Sequence, residues 1–366
     1  MKRPCIVAKM VKLHEYRINP RLHIEIHQLL AGREFANTHR DPQVQSIFNA
    51  AKSSANFVYC IIVETFGPIR RREASLIDAA WDVDGIFKYC RQELEVSIVS
   101  SCIFTHWHPD HIGGFLPTTR GGHLKISGIP ECVANGCSSI YFGKDEFDKV
   151  KKMHNIDPDD SIVSNFFLLN DGDSILINEL QLEIISTPGH TVGSICVFIP
   201  NFGGKTGNFP ILITGDTLFI GNCGRFDQNR YGMKIFHSIN RLAMLPDTTM
   251  VCPGHNYAGS SSSIGHEKKY NAAIMQGKQM KEQLQKAYGK HELHQSIFRC
   301  NTSANFESHF FPIKRYLDHA TKAYLDLKST NNCLECDTFG SYSNHGNDWQ
   351  CATCFPIIQF LEDSRM

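Results

Sequence analysis

The sequence predicts an α/β fold in which two stacked β-sheets carry helices on their outer sides. Three observations predict it. Apolar runs of strand length recur between residues 57 and 252, and the first, Phe57-Val58-Tyr59-Cys60-Ile61-Ile62-Val63, is apolar throughout, as in a strand buried on both faces. Among them lies a helical pattern, with Val83, Ile86, Phe87 and Cys90 at helical spacing and Asp82 in the N-cap position. Strands that come first in runs and then alternate with helices fit stacked sheets with helices packed outside.

The elements follow in order. Residues 1–55 carry no strong motif and read as an N-terminal extension or edge elements. The strand that begins at Phe57 ends at a turn around Gly67-Pro68, and a short strand over 74–78 precedes the helix. A strand over 98–105 comes next. The Gly-rich, polar stretch 118–137 reads as an insert or mobile loop near the site. Strands return at 182–186, 195–199, 211–214 and 250–252. Beyond residue 270 the texture becomes helical, with one amphipathic pattern on Met280, Leu284, Ala287 and Tyr288 and another on Ile313, Tyr316, Leu317, Ala320, Tyr324 and Leu327. The domain division expected is 1–55 extension, 56–270 catalytic domain, 271–329 helical segment and 330–366 a small cysteine-bearing module with a tail.

Composition narrows the function classes. The 366 residues are 42% hydrophobic and 20% charged, with 37 basic and 37 acidic side chains, so the chain lacks the basic footprint of a general nucleic-acid binder. Its 14 cysteines do not suit a small secreted disulfide scaffold. Cys60, Cys102, Cys196 and Cys252 sit in apolar runs and read as reduced core residues, which implies a reducing compartment. No apolar run reaches membrane-spanning length. The cytoplasm is the first expectation. A mitochondrial presequence would be interrupted by Glu15, and Ser364-Arg365-Met366 is a relaxed form of the Ser-Lys-Leu peroxisomal address, so both organelles stay as alternatives.

The chemistry concentrates at Thr105-His106-Trp107-His108-Pro109-Asp110-His111. Histidines and a carboxylate gain little by clustering unless they hold a metal, and imidazole and carboxylate are the donors that hydrolytic zinc and iron centres use. The spacing His-x-His-x-Asp-His can send donors toward two adjacent positions, which suggests two metals. Three later strand ends each carry another candidate: His190 in Thr187-Pro188-Gly189-His190-Thr191, Asp216 in Thr214-Gly215-Asp216-Thr217, and His255 in Pro253-Gly254-His255-Asn256-Tyr257. Any one alone would read as a hydrogen-bonded structural residue. Together with His106, His108, Asp110 and His111 they make seven donors, which pack poorly without a cation.

This ordered set resembles the metallo-beta-lactamase superfamily over about residues 56–270. The resemblance implies a four-layer αβ/βα sandwich with metals at one edge. Within the superfamily, Gly215-Asp216-Thr217-Leu218-Phe219, the Cys223-Gly224 pair, and Pro253-Gly254-His255-Asn256-Tyr257 followed by Ile264-Gly265-His266-Glu267-Lys268-Lys269 look like glyoxalase II, the hydroxyacylglutathione hydrolases. That resemblance implies a first metal on His106, His108 and His190, a second on Asp110, His111 and His255, and Asp216 bridging both. Zinc is the first expectation, and iron or manganese suits the same donors. Asp78 would steady the ligand loop from behind. The reaction implied is hydrolysis of a thioester or ester of a small acylated thiol, a glutathione conjugate among the candidates, by a hydroxide the two metals share, with Asp110 and Asp216 as the catalytic carboxylates. The substrate side departs from the pattern. Arg225-Phe226-Asp227 stands where the family has a lysine and a tyrosine after Cys-Gly, so Arg225 keeps the cation while Asp227 is no tyrosine. Tyr257 remains a candidate contact. Lys278 and Lys281, one helical turn apart, are either the family's basic pair or solvated surface lysines. Two other branches share the motifs: persulfide dioxygenases, with one iron on His106, His190 and Asp216, and metal-dependent endoribonucleases, against which the neutral charge argues.

Cys333-Leu334-Glu335-Cys336 and Cys351-Ala352-Thr353-Cys354 form two C-x-x-C pairs, the pattern of a four-cysteine structural zinc. The intervening residues, with Gly340 and Asn344-His345-Gly346-Asn347 for turns, would fold as a hairpin that brings the pairs together. The alternative is four free thiols on a disordered tail. No Lys or Arg lies between 333 and 354, so this zinc ribbon is expected to dock a protein partner or a second copy rather than nucleic acid.

Overall fold

The computed structural model describes residues 11–19, 22–36, 42–66, 70–117, 122–200, 209–226, 228–275, 342–345 and 348–351. The chain divides into two compact units, the first made of Met1–Ser186, Gly193–Phe219 and Met250–Ser261.

The first unit holds two sheets. One is formed by β1 (Val11–Asn19), β2 (Leu22–Leu30), β3 (Phe57–Thr65), β4 (Arg71–Ile77), β5 (Ile98–Phe104), β8 (Ser139–Gly143) and β9 (Phe166–Leu169), side by side in that order. Its first four strands are antiparallel and its last four, from β4, are parallel. Residues 11–30, which carry no motif, thus supply its outermost pair of strands. The other sheet runs β10 (Ser174–Ile177), β11 (Leu180–Ser186), β12 (Ile195–Ile199), β13 (Ile211–Gly215) and β14 (Met250–Pro253), antiparallel until the parallel pair β13–β14. A short hairpin of β6 (Gly114–Pro117) and β7 (His123–Ile126) stands apart from both.

Strand periodicity divides the core. Along β3, Phe57, Tyr59, Ile61 and Val63 face inward, where they join Ile24 and Ile26 of β2 and Leu182, Ile184, Val197, Ile211 and Ile213 of the other sheet. The intervening Val58, Cys60 and Ile62 face the opposite way and pack with Val83, Ile86, Phe87 and Cys90 of α2 (Val83–Gln92) and with Cys132 of α4 (Ile129–Ala134). This double burial explains the unbroken apolar run. α2 starts where the sequence predicts, with the Asp82 carboxylate accepting the Gly85 amide at 3.1 Å. Each large apolar side chain on its inner face contributes roughly 1.5–3 kcal/mol on burial. Cys60, Cys102, Cys196 and Cys252 are buried free thiols.

One expectation is corrected. The stretch 118–137 is not a long loop, because from His123 onward it folds into β7 and α4. Ile126, Ile129, Cys132 and Cys137 are buried and anchor it. These few buried apolar positions among glycines and polar residues are too sparse for a periodicity reading, although they suffice once the neighbouring helix covers them.

The remaining helices of the first unit are α1 (Pro42–Ser54), α3 (Pro109–Ile112) and α5 (Phe147–His154). The second unit comprises Thr187–Val192, Ile220–Thr249 and Ser262–Met366. Its described part contains α6 (Gln228–Leu242), the two-residue strand β15 (Ser262–Ser263), α7 (Ile264–Tyr270) and an antiparallel pair, β16 (Tyr342–His345) with β17 (Asp348–Cys351). The amphipathic helices expected after residue 275, with Lys278 and Lys281, lie outside the described residues. So do Cys333, Cys336 and Cys354, and the side chain of Cys351. Among the described residues no helix is long and apolar enough to cross a membrane.

Candidate metal centre

Four strands of the first unit deliver polar residues at their C-terminal ends. Asp78 follows β4, Thr105-His106 follows β5, Asp216 follows β13, and Gly254-His255 follows β14. Loops held by a rigid sheet can place donors without paying for it in their own order. The single helical turn α3, opened by Pro109, carries Asp110 and His111. The His111 amide bonds the His108 carbonyl at 2.9 Å, which closes that turn. Gly113 ends that turn at φ +81°, with the backbone of Gly128 only 2.5 Å from where a Cβ would stand.

Six of the seven predicted donors lie in the first unit, and they converge. One ligand atom each from His106, His111 and Asp216 falls within a 4.8 Å set, and so does one each from Asp110, His111 and His255. His111 Nε2 lies 3.1 Å from His255 Nε2. Asp216 Oδ1 lies 3.3 Å from the former and 3.2 Å from the latter. Asp110 Oδ2 lies 3.6 and 3.5 Å from the same two nitrogens. His106 Nε2 is 3.0 Å from His108 Nδ1. His111 and His255 are buried, and Asp216 is nearly so.

Hydrogen bonds behind the donors fix which ring atom points inward. Asp78 Oδ1 accepts the Thr105 amide at 2.7 Å, and Oδ2 accepts the Thr105 hydroxyl at 2.8 Å and His111 Nδ1 at 2.9 Å. Because the Thr105 hydroxyl donates to Asp78, its oxygen is left to accept from His106 Nδ1, 3.0 Å away. The Ser54 carbonyl accepts from His255 Nδ1 at 2.7 Å. A carboxylate, a hydroxyl and a carbonyl therefore commit Nδ1 of His111, His106 and His255 in turn and leave Nε2 as the coordinating atom of each.

Whether these residues suit a cation is tested by their electrostatics. Burial pushes the Asp216 carboxyl up, but His255 and His111 outweigh it and hold it well below the usual carboxylate range. Asp110 is likewise lowered, with burial opposed by His111 and His255. Burial pushes His111 down, yet Asp216, Asp110 and Asp78 hold it well above an ordinary imidazole, and His255 is raised for a similar reason. With Nδ1 committed, Nε2 is the one ring atom that can take positive charge, and two Nε2 atoms 3.1 Å apart leave little room for two protons. A cation bound by both resolves that conflict and neutralises the carboxylates. The donor set fits a metal.

An aromatic wall borders the donors. Tyr257 is 59% exposed and stacks on His255 at a 4.6 Å centroid separation, with 7° between the rings. Phe219 meets the Tyr257 ring edge-on at 5.3 Å. Tyr257 is the one candidate substrate contact that lies beside these donors in the first unit.

His190 and Arg225 belong to the second unit. The Arg225 carbonyl accepts from His190 Nδ1, so here too Nε2 is left as the ligating atom. The turn that carries His190 requires a glycine, since Gly189 has φ +148° and a Cβ there would lie 2.4 Å from the Ile235 Cα of α6. The Ser238 hydroxyl of the same helix donates to the Pro188 carbonyl at 2.8 Å. Arg225 is exposed.

Residues 54–56 are part of the site and carry no sequence motif. Asn56 is buried, and its Nδ2 donates to Asp110 Oδ2 at 3.1 Å. The Ser54 hydroxyl reaches the same oxygen at 3.3 Å. The only signal in the sequence is their position just before a core strand.

Comparison with known proteins bears on this geometry. A family model described as the metallo-beta-lactamase superfamily matches residues 55–255. The hydroxyacylglutathione hydrolase of Salmonella arizonae is 29% identical over 160 residues, which is 44% of this chain and 49% of that protein. The hydroxyacylglutathione hydrolase of Erwinia tasmaniensis is 31% identical over 165 residues, 45% of this chain and 51% of that one. The chain spans about half the length of the curated relatives it matches. Among solved structures, a metallo-beta-lactamase from Staphylococcus aureus is 24% identical with a TM-score of 0.44, covering 60% of this chain and 58% of that one. ETHE1 from Myxococcus xanthus is 25% identical with a TM-score of 0.41, covering 60% and 80%.

Proposed function

The chain belongs to the metallo-beta-lactamase superfamily, and we propose that it is a metal-dependent hydrolase that cleaves a thioester or ester of a small acylated thiol. The observation that carries this reading is the meeting of His111 Nε2 and His255 Nε2, 3.1 Å apart, with the carboxylates of Asp110 and Asp216, each within 3.6 Å of both nitrogens. His106, His108 and His190 would hold one divalent metal, Asp110, His111 and His255 a second, and Asp216 both. Two such cations would supply a hydroxide nucleophile at neutral pH and a positive pole for the carbonyl oxygen.

The chain's own residues do the rest. Asp78 and the Ser54 carbonyl keep the imidazole lone pairs aimed inward, so little reorganisation is needed during turnover. Asp110 and Asp216, held ionised, accept a proton-bearing nucleophile and orient it. A thiolate leaving group needs little protonation, so no strong general acid is required. Tyr257, exposed and stacked on His255, offers its ring and hydroxyl to the acyl thiol, and Arg225 supplies a cation for an anionic thiol such as glutathione. The C-terminal cysteine pairs would hold a separate structural zinc that serves docking.

Purified protein and a His106→Ala variant, assayed on a panel of acyl thioesters that includes S-lactoylglutathione, test this reading. Hydrolysis by the parent and a loss of at least a hundredfold in the variant is the expected result. Full activity in the variant, or no turnover of any thioester, overturns it.

A further inference from the structure

The geometry points to Asn56 as the residue that positions Asp110 for the second metal, with Trp81 setting the orientation of its amide. This inference rests on the two-metal reading above and assigns a role that the ligands themselves do not cover.

The orientation is decided by chemistry. An indole N–H can only donate. Trp81 Nε1 lies 3.1 Å from Asn56 Oδ1, in a buried pair, so that atom has to be the amide oxygen. The NH2 group then faces the opposite way, toward the donors. It lies 3.1 Å from Asp110 Oδ2, 3.2 Å from His111 Nε2 and 3.4 Å from His255 Nε2. These are the three groups assigned to the second metal. Asn56 touches one atom of each and none of the first set.

The backbone holds Asn56 in that place. It forms an antiparallel bridge with His255, the Phe57 amide bonds the Gly254 carbonyl at 2.8 Å, and the Asn256 amide bonds the Ala55 carbonyl at 2.9 Å. The ligand His255 and the amide of Asn56 are therefore mounted on paired backbone and move together. Asp110 comes from a separate single-turn helix and has no such tie. Its Oδ2 accepts hydrogen bonds from the Asn56 amide at 3.1 Å and the Ser54 hydroxyl at 3.3 Å, with His255 Nε2 and His111 Nε2 farther off at 3.5 and 3.6 Å. Asn56 is thus a spacer that sets the distance between Asp110 and both imidazoles before a cation arrives. It is a positioning residue, since it acts through Asp110.

The test uses the full chain and two substitutions. Asn56→Leu keeps the volume and removes both hydrogen-bonding ends. Trp81→Phe removes the N–H that orients the amide, together with part of the buried ring. Metal-free protein is titrated with cobalt(II), and the equivalents without a thiolate charge-transfer band are counted separately from those held by cysteines. The parent should take up two such equivalents. In Asn56→Leu the second should bind about tenfold or more weakly, the worth of a lost hydrogen bond to a charged group. The first equivalent should be unchanged in a variant that still unfolds cooperatively, and Trp81→Phe should show a smaller loss of the second equivalent. Two parental affinities in both variants overturn the role of Asn56 alone. Loss of both equivalents with a lowered melting temperature also overturns it, by making Asn56 a general structural residue. A single equivalent in the parent overturns the two-metal reading, and the Asn56 role with it.

Discussion

Replacing Asp78 with asparagine should disable two ligands, His111, which it bonds directly, and His106, which it reaches through the Thr105 hydroxyl. Asp78 sits at φ 57°, a backbone conformation that asparagine also tolerates, so the loop itself is preserved. The carboxylate accepts hydrogen bonds from the Thr105 amide, the Thr105 hydroxyl and His111 Nδ1, at 2.7, 2.8 and 2.9 Å. An asparagine can keep its oxygen on the Thr105 amide, but its NH2 then opposes two donors. His111 must move its proton to Nε2, into the space where a metal would bind. The Thr105 hydroxyl must turn and accept from the new amide, so it donates to His106 Nδ1 and reverses that tautomer as well. Two bonds to a charged acceptor are lost, each worth roughly 1.5–3 kcal/mol, so the metal-free fold should weaken by about 3–6 kcal/mol at most. Metal affinity should fall about 10–100-fold, the usual scale for losing a partner behind a ligand. Chelator competition reads the affinity, and denaturant unfolding reads the stability. If Asp78→Asn binds metal within twofold of the parent, the tautomer reasoning is wrong.

Three further outcomes are expected. Gly254→Ala should impair metal binding while the protein stays folded, because the new Cβ would lie 2.5 Å from Asp216 Oδ1 and 3.0 Å from His111 Cε1; parental metal content would show that the loop can give way. Burial, with Lys125 adding to it, pushes the His154 imidazole down to about 4, against 6.5 for an exposed one, so the unfolded chain takes up this proton before the fold does. Its contribution is intact above pH 6.5 and is lost as pH falls toward 4, by about 3 kcal/mol in all, and His154→Leu should flatten that part of the unfolding profile; equal acid sensitivity in both proteins would contradict this. A Cys333→Ser and Cys336→Ser double variant should lose one zinc per chain and keep thioester turnover, as measured by elemental analysis and assay; unchanged zinc would leave the thiols free.

The parts of this molecule that were legible in its sequence are those with a short-range pattern. The α2 face of Val83, Ile86, Phe87 and Cys90 with its Asp82 cap follows from helical spacing, and it packs where that spacing says. The run 57–63 declares a strand buried on both sides. The six first-unit donors could be read because each sits at a strand end beside a glycine or within one dense motif. Asn56 could not be read in this way. It meets Asp110 across 54 positions and Trp81 across 25, and a single asparagine before a strand has no periodicity or spacing to mark it. The segment 123–134 was hidden for a related reason, since its few apolar positions gain meaning only against α2. The proposed substrate contacts are the least legible of all, because Tyr257 and Arg225 are exposed, singly placed groups that read as ordinary surface residues.

One measurement bears most directly on the two-metal hydrolase reading: elemental analysis of the purified full-length protein alongside turnover of S-lactoylglutathione and of glutathione persulfide. Two core metals per chain, in addition to any zinc on the cysteine pairs, with hydrolysis of the thioester and no oxygen consumption, is the expected result. A single core iron with oxygen consumed on the persulfide, or a core with no metal, would contradict it.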